Sequence, residues 1–198
     1  MKMILASSSP RRKELLQRLD YPFDIILPNV NESLLVPGSN PNQYCISLAE
    51  MKANDISLHH PNALVIGADT IVVHDDQILN KPANSVQAEN MLKTLSGKTH
   101  KVYTGVCLKW FARKIQHTFS EITMVTFRKL DTEDILHYID TCPPYDKAGS
   151  YGIQDWSAIF VQNMHGCYDN VVGFPLSRFY QELKKLGINL LDSISESP

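Results

Sequence analysis

Met3-Ile4-Leu5-Ala6-Ser7-Ser8-Ser9-Pro10-Arg11-Arg12 reads as a short buried strand that turns directly into a helix. Four apolar residues suit the strand. Ser9-Pro10 is a strong helix start, with serine as N-cap and proline, which has no N–H to satisfy, at the first helical position. Leu15, Leu16 and Leu19 give that helix its apolar face, and Pro22 stops it. Arg11 and Arg12 in the first turn need an explanation, because the positive end of the helix dipole disfavours cations. Free backbone N–H groups, the hydroxyls of Ser7 to Ser9 and two guanidinium forks converge there, which is the chemistry of a polyanion cradle. Two solvated arginines on a surface turn are the plainer alternative.

Outward from this stretch, the 198 residues suffice to close a sizeable core. The chain reads as one domain over 1–190, with 191–198 as a frayed tail. A net charge of −2 provides no basic surface for nucleic acid. No apolar run approaches the length of a membrane span, and the N-terminus lacks a signal peptide's hydrophobic region. The expectation is a cytoplasmic protein with no membrane partner. Cys45, Cys107, Cys142 and Cys167 are scattered, which reads as reduced thiols rather than a zinc site.

Phe23 to Leu27 reads as a second strand ended by Pro28, and the loop after it carries one acidic residue, Glu32. Asn40-Pro41 repeats the cap-plus-proline start for a helix to about Ile56. Cys45, Ala49, Lys52 and Ile56 share one stripe of that helix. Lys52 is therefore a charge on a mostly apolar face, which either snorkels to water or points into a site. Ala63 to Val73 is the most apolar stretch and suits a central strand covered on both faces. Asp69 interrupts it. A carboxylate there is costly unless it meets a cation, a metal or several donors, which favours function over a bulge held by backbone N–H groups. The turn His74 to Gln77 and the return Ile78 to Pro82 bring Lys81 back beside that strand.

Ser85 to Leu95 has helical periodicity, closed by Ser96-Gly97. Val102 to Trp110 and His117 to Phe127 are rich in β-branched and aromatic residues and predict two long strands. His100, at the entrance to the first, reads as structural. A helix is expected over Glu133 to Ile139. In Tyr145 to Gln154, small residues let a ligand or another backbone come close, and Gln154 offers a donor and an acceptor together. By itself that segment reads most simply as a surface turn. Ile159 to Val161 and Asn170 to Val172 read as short strands, and Pro175 starts a last helix that Gly187 ends.

Together these segments resemble the Maf family of nucleoside triphosphate pyrophosphatases. The family's A-S-x-S-P-R-R opening stands as Ala6 to Arg12, its loop glutamate as Glu32, and its L-A-x-x-K-A helix as Leu48 to Ala53. G-A-D-T is Gly67 to Thr70, K-P is Lys81-Pro82, and S-G-x-x-H-x-V-x-T-G is Ser96 to Gly105. D-K-A-G-[SA]-Y-G-I-Q is Asp146 to Gln154, and N-V-V-G-x-P-L is Asn170 to Leu176. The chain departs from the pattern in two places: Asp155-Trp156-Ser157 stands where a glycine pair is usual, and Asn31 precedes Glu32 where an acidic residue is frequent.

The resemblance implies an α/β fold, with an elongated twisted mixed sheet flanked by helices and two lobes around a central cleft. It implies hydrolysis of a nucleoside triphosphate to a monophosphate and pyrophosphate with a divalent metal, Mg²⁺ or Mn²⁺, as cofactor. Arg11, Arg12, Lys52 and Lys81 would neutralise the triphosphate, with Ser7 and Ser9 beside them. Glu32 and Asp69 would hold the metal, and Asp69 matches the proton acceptor that activates water. Arg11, Thr70 and Gln154 lie at positions associated with base selection. The intact Tyr151-Gly152-Ile153-Gln154 matches the branch acting on dTTP and UTP. The alternatives are a pyrophosphatase for 7-methylguanosine triphosphate or other modified nucleotides, and a nucleotide-binding regulator of septum formation with little turnover. The resemblance also admits a homodimer, which the residues themselves leave open.

Overall fold

The computed structural model describes residues 1–38 and 40–191. The expected start is present: β1 (Met3–Ala6) is fully buried, and α1 (Pro10–Gln17) begins at Pro10 with the Ser9 side chain accepting the Arg12 N–H. α2 (Pro41–His59) starts the same way, Asn40 accepting from Gln43 N–H, and runs one turn past Ile56. Then come β3 (Leu64–His74), β4 (Gln77–Leu79), α3 (Ser85–Leu95), and the long β5 (Thr99–Trp110) and β6 (Ile115–Phe127). α4 (Thr132–Thr141), β7 (Val161–His165), α5 (Tyr168–Val172) and α6 (Leu176–Lys185) complete the order.

Among the described residues one mixed sheet of seven strands forms, in the order β2-β1-β3-β5-β6-β7 with β4 also on β3, where β2 is Asp24–Ile25. β1 runs parallel to β2 and β3, and the remaining pairs are antiparallel. The register decides where a site can be. β1 covers the edge of β3 from Leu64 to Gly67 and β4 covers it from Val72 to His74. Between them, Ala68 to Ile71 pair with β5 alone. The gap lies just past the carboxyl end of β1, where α1 begins, the position at which open α/β sheets bind ligands.

The pleat sorts the core. Met3, Leu5, Leu64, Ile66 and Ala68 pack with Leu15 and Leu16 of α1 and Phe179 and Leu183 of α6. Ile4, Ala6 and Val65 point the other way, onto Ala49, Ala53 and Ile56 of α2. Further along the sheet, Val72 of β3, Val102 of β5 and Phe127 of β6 pack with α3 and α4. Glycines let α2 press on the sheet: a Cβ on Gly67 would sit 2.1 Å from the Ala49 carbonyl oxygen, and one on Gly105 2.5 Å from that of Cys45.

Three expectations need correction. β2 is two residues long rather than Phe23 to Leu27, an exposed edge between Pro22 and Pro28. Ile159-Phe160 belong to a 3₁₀ turn, Trp156–Phe160, because the Asp155 side chain caps it through the Ser157 N–H; the strand begins at Val161. Asn170 to Val172 are helical. Their β-branched residues suggested a strand, but the Asn170 amide is drawn into the core, donating to the Val102 carbonyl and Thr123 Oγ1, at 3.1 and 2.9 Å. The expected frayed tail lies, apart from Leu191, outside the described residues.

Candidate active site

A cleft of about 410 Å³ opens at the gap in the sheet. Ser7, Ser9, Arg11, Arg12, Glu32, Lys52, Asp69, Thr70, Lys81 and Gln154 all line it, although they come from distant parts of the chain. All the site residues expected from the sequence are thereby brought together.

Lys52 does not snorkel. Its side chain is 9% exposed and its ammonium lies 2.5 Å from Asp69 Oδ1 and 2.9 Å from Glu32 Oε1. Asp69 thus has the partner that its place in a central strand demands. Burial alone would push the Glu32 carboxyl up, but the hydrogen bond and charge of Lys52, with Lys81 and Arg12, hold it below the usual range. The two arginines differ. Arg12 is buried and wired to the frame: Nε donates to the Gly173 carbonyl (3.0 Å), Nη1 to Ser7 Oγ (3.2 Å) and Nη2 to Thr70 Oγ1 (3.1 Å). Burial, and the neighbouring Arg11, lower its pKa, partly offset by Asp69 and Glu32. Thr70 Oγ1 also lies 2.9 Å from Thr104 Oγ1, so this hydroxyl is held as firmly as the guanidinium it accepts from.

Arg11 instead crosses the cleft to Asp146, Nη1 to Oδ2 at 2.8 Å, and Asp146 Oδ1 takes Lys147 Nζ at 2.9 Å. Burial opposes the charge of Asp146, but these two cations bring its pKa down to about 2. Asp146, Lys147, Tyr151 and Gly173 line the cleft too; all four stand in the family motifs, but none was given a site role from sequence. The signal was available for the first three: they share the segment that supplied Gln154.

The same geometry tests the expected metal. Glu32 and Asp69 already direct two carboxylate oxygens at one cation, the Lys52 ammonium. Among the described residues no three Asp, Glu, His or Cys groups converge. Two carboxylates, with phosphate oxygens and water completing the shell, are the donor set that Mg²⁺ takes at nucleotide sites, and the residues fit such an ion.

An open α/β sheet with a helix N-terminus, clustered cations and paired carboxylates at its gap defines a protein that handles phosphate esters or anhydrides. Residues 2–186 match the family described as Maf-like protein, and the chain belongs to that family. A dTTP/UTP pyrophosphatase of Bacillus mycoides (strain KBAB4) is 49% identical over 184 residues, covering 93% of this chain and 95% of that protein. A dTTP/UTP pyrophosphatase of Bacillus cereus (strain ATCC 14579) is 47% identical over 189 residues, with 96% and 97% covered. Among solved structures, a HAM1 protein from Coxiella burnetii shares the fold at 14% identity and a TM-score of 0.50, over 93% of this chain and 99% of that one. No helix among the described residues is long and apolar enough to cross a membrane.

Proposed function

We propose that the protein is a nucleoside triphosphate pyrophosphatase that hydrolyses dTTP and UTP to the monophosphate and pyrophosphate, within one domain spanning 1–190. The observation that carries this reading is the convergence of Asp69, Lys52, Lys81, Glu32, Arg11 and Arg12 on one cleft that also holds Gln154. The names of the relatives from Bacillus support the pyrimidine preference.

In this reading Asp69 accepts a proton from the attacking water as its oxygen bonds to the α-phosphorus. The bond from that phosphorus to the α–β bridging oxygen breaks, and pyrophosphate departs. Lys52, Lys81, Arg11 and Arg12 take up the charge that grows on the phosphates, and Ser7 and Ser9 beside the α1 N-terminus add donors. Glu32 and Asp69 would hold Mg²⁺ or Mn²⁺; when bound, such an ion polarises the phosphoryl oxygens. Gln154 faces the base, where its amide matches the N3–H and carbonyl edge of uracil or thymine, and the frame of Thr70 and Arg12 fixes the floor of the cleft. The four cysteines are free thiols, consistent with a cytoplasmic enzyme.

The test is pyrophosphate release from a panel of triphosphates with Mg²⁺ or Mn²⁺, beside Asp69→Asn. Fast release from dTTP and UTP, reduced about 10²–10⁴-fold in the variant, is expected. Fast release from 7-methylguanosine triphosphate in preference to these would overturn the base assignment. Nucleotide binding without release would turn the reading to a regulator.

A further inference from the structure

The turn that carries Gln154 is held in a conformation its residues do not favour. Gly149 (φ +67°) and Ser150 (φ +63°) both lie in the left-handed region, and for serine that is uncommon. Such strain persists where the surroundings over-determine it. Gly149 N–H donates to the Asn80 carbonyl, Ser150 Oγ lies 3.0 Å from Met91 Sδ, and Gly152 N–H donates to Ser157 Oγ. Between them Tyr151 drops its side chain into the core, where its Oη lies 2.8 Å from His100 Nε2. Phe127 closes the nest: its ring meets His100 edge-on at 4.9 Å and Tyr151 at 4.8 Å.

His100 is 2% exposed, and its Nδ1 has no hydrogen-bond partner among the described residues. A buried orphan of this kind costs stability, and a leucine or phenylalanine would fill the nest without it. The bond to Tyr151 is what the imidazole supplies and an apolar side chain would not. We infer that His100 is a positioning residue for base selection: through Tyr151 it fixes the strained turn that presents Gln154 to the base. The inference rests on reading the cleft as a pyrimidine triphosphate site. Burial, with His74, lowers the His100 pKa to about 3, so the ring stays neutral at physiological pH and can either donate or accept at Nε2.

The experiment compares kcat/KM for UTP and CTP, which differ at the edge assigned to Gln154. The proteins are the wild type, Tyr151→Phe, His100→Leu, His100→Gln and the double variant Y151F/H100L. Tyr151→Phe removes one oxygen atom and keeps the ring, so it serves if His100→Leu does not fold. The expected result is a UTP-over-CTP ratio reduced about tenfold in Y151F and H100L, with the double variant no worse than either, because both remove the same bond. His100→Gln, which retains a donor and an acceptor, restores much of the ratio. Equal losses on both nucleotides, leaving the ratio at its wild-type value, would mean that the bond serves folding alone and would overturn the inference. A wild-type ratio near one would overturn it too. A wild type that releases pyrophosphate from neither nucleotide overturns the reading of the cleft first, and the inference with it.

Discussion

Lys52 does at the residue scale what a metal ion would do, holding two carboxylates that would otherwise repel each other. Replacing it with methionine, similar in length but uncharged, leaves Glu32 and Asp69 facing one point without a cation. Mn²⁺ binding without nucleotide should then tighten at least about tenfold over wild type, as read by electron paramagnetic resonance, while pyrophosphate release falls. Equal Mn²⁺ affinity in both proteins would show that the ammonium and the ion do not compete. That Asp69 needs a partner was legible in the sequence, because a carboxylate in a central strand is costly alone; that the partner is Lys52, which could equally have snorkelled, shows only in the structure. The division of labour between Arg11 and Arg12 was not legible either. Arg12 is fixed by a carbonyl 161 residues away and a hydroxyl 58 residues away, which no local pattern encodes.

For whole elements, legibility followed local chemistry. The proline-capped starts of α1 and α2 and the long β3, β5 and β6 could be read because caps and periodicity are written in neighbouring residues. Asn170 to Val172 misled because tertiary hydrogen bonds of Asn170 outweighed the β-propensity of two valines. How closely α2 lies on the sheet depends on Gly67 and Gly105, whose role becomes visible only in three dimensions. Gly67→Ala should destabilise the protein by about 1–3 kcal/mol, because the helix backbone itself must shift. It should also lower activity through displacement of Lys52. Gly38→Ala, where an added Cβ meets none of the described residues within 4 Å, is the control and should stay within about 0.5 kcal/mol. Urea unfolding measures both, and equal midpoints would refute the close-packing argument.

Across the molecule, α6 is tied to the sheet by one carboxylate. Glu182 lies 2.8 Å from His117 of β6 and is also met by Arg178 and Lys185 of its own helix. Burial opposes its charge, but these partners bring its pKa down to about 2. A depressed carboxyl contributes stability that is present above its unfolded value near 4.5 and is lost as pH falls towards 2. Glu182→Gln should therefore be less stable at pH 7, and the gap to wild type should shrink between pH 4.5 and 2 in thermal melts. A gap independent of pH would assign the loss to packing. The mixed sheet as a whole followed from family resemblance, whereas the gap between β1 and β4 depends on register, which a sequence does not display. At that gap the cleft is lined by an ion pair, Arg11 on Asp146. The cleft thus carries its own carboxylate partner for Arg11, and a phosphate that binds there substitutes for a carboxylate instead of meeting a bare guanidinium. Binding is then an exchange of counter-ions, so KM should rise less steeply with ionic strength than the number of cations in the cleft suggests, and more steeply once Asp146 is made asparagine.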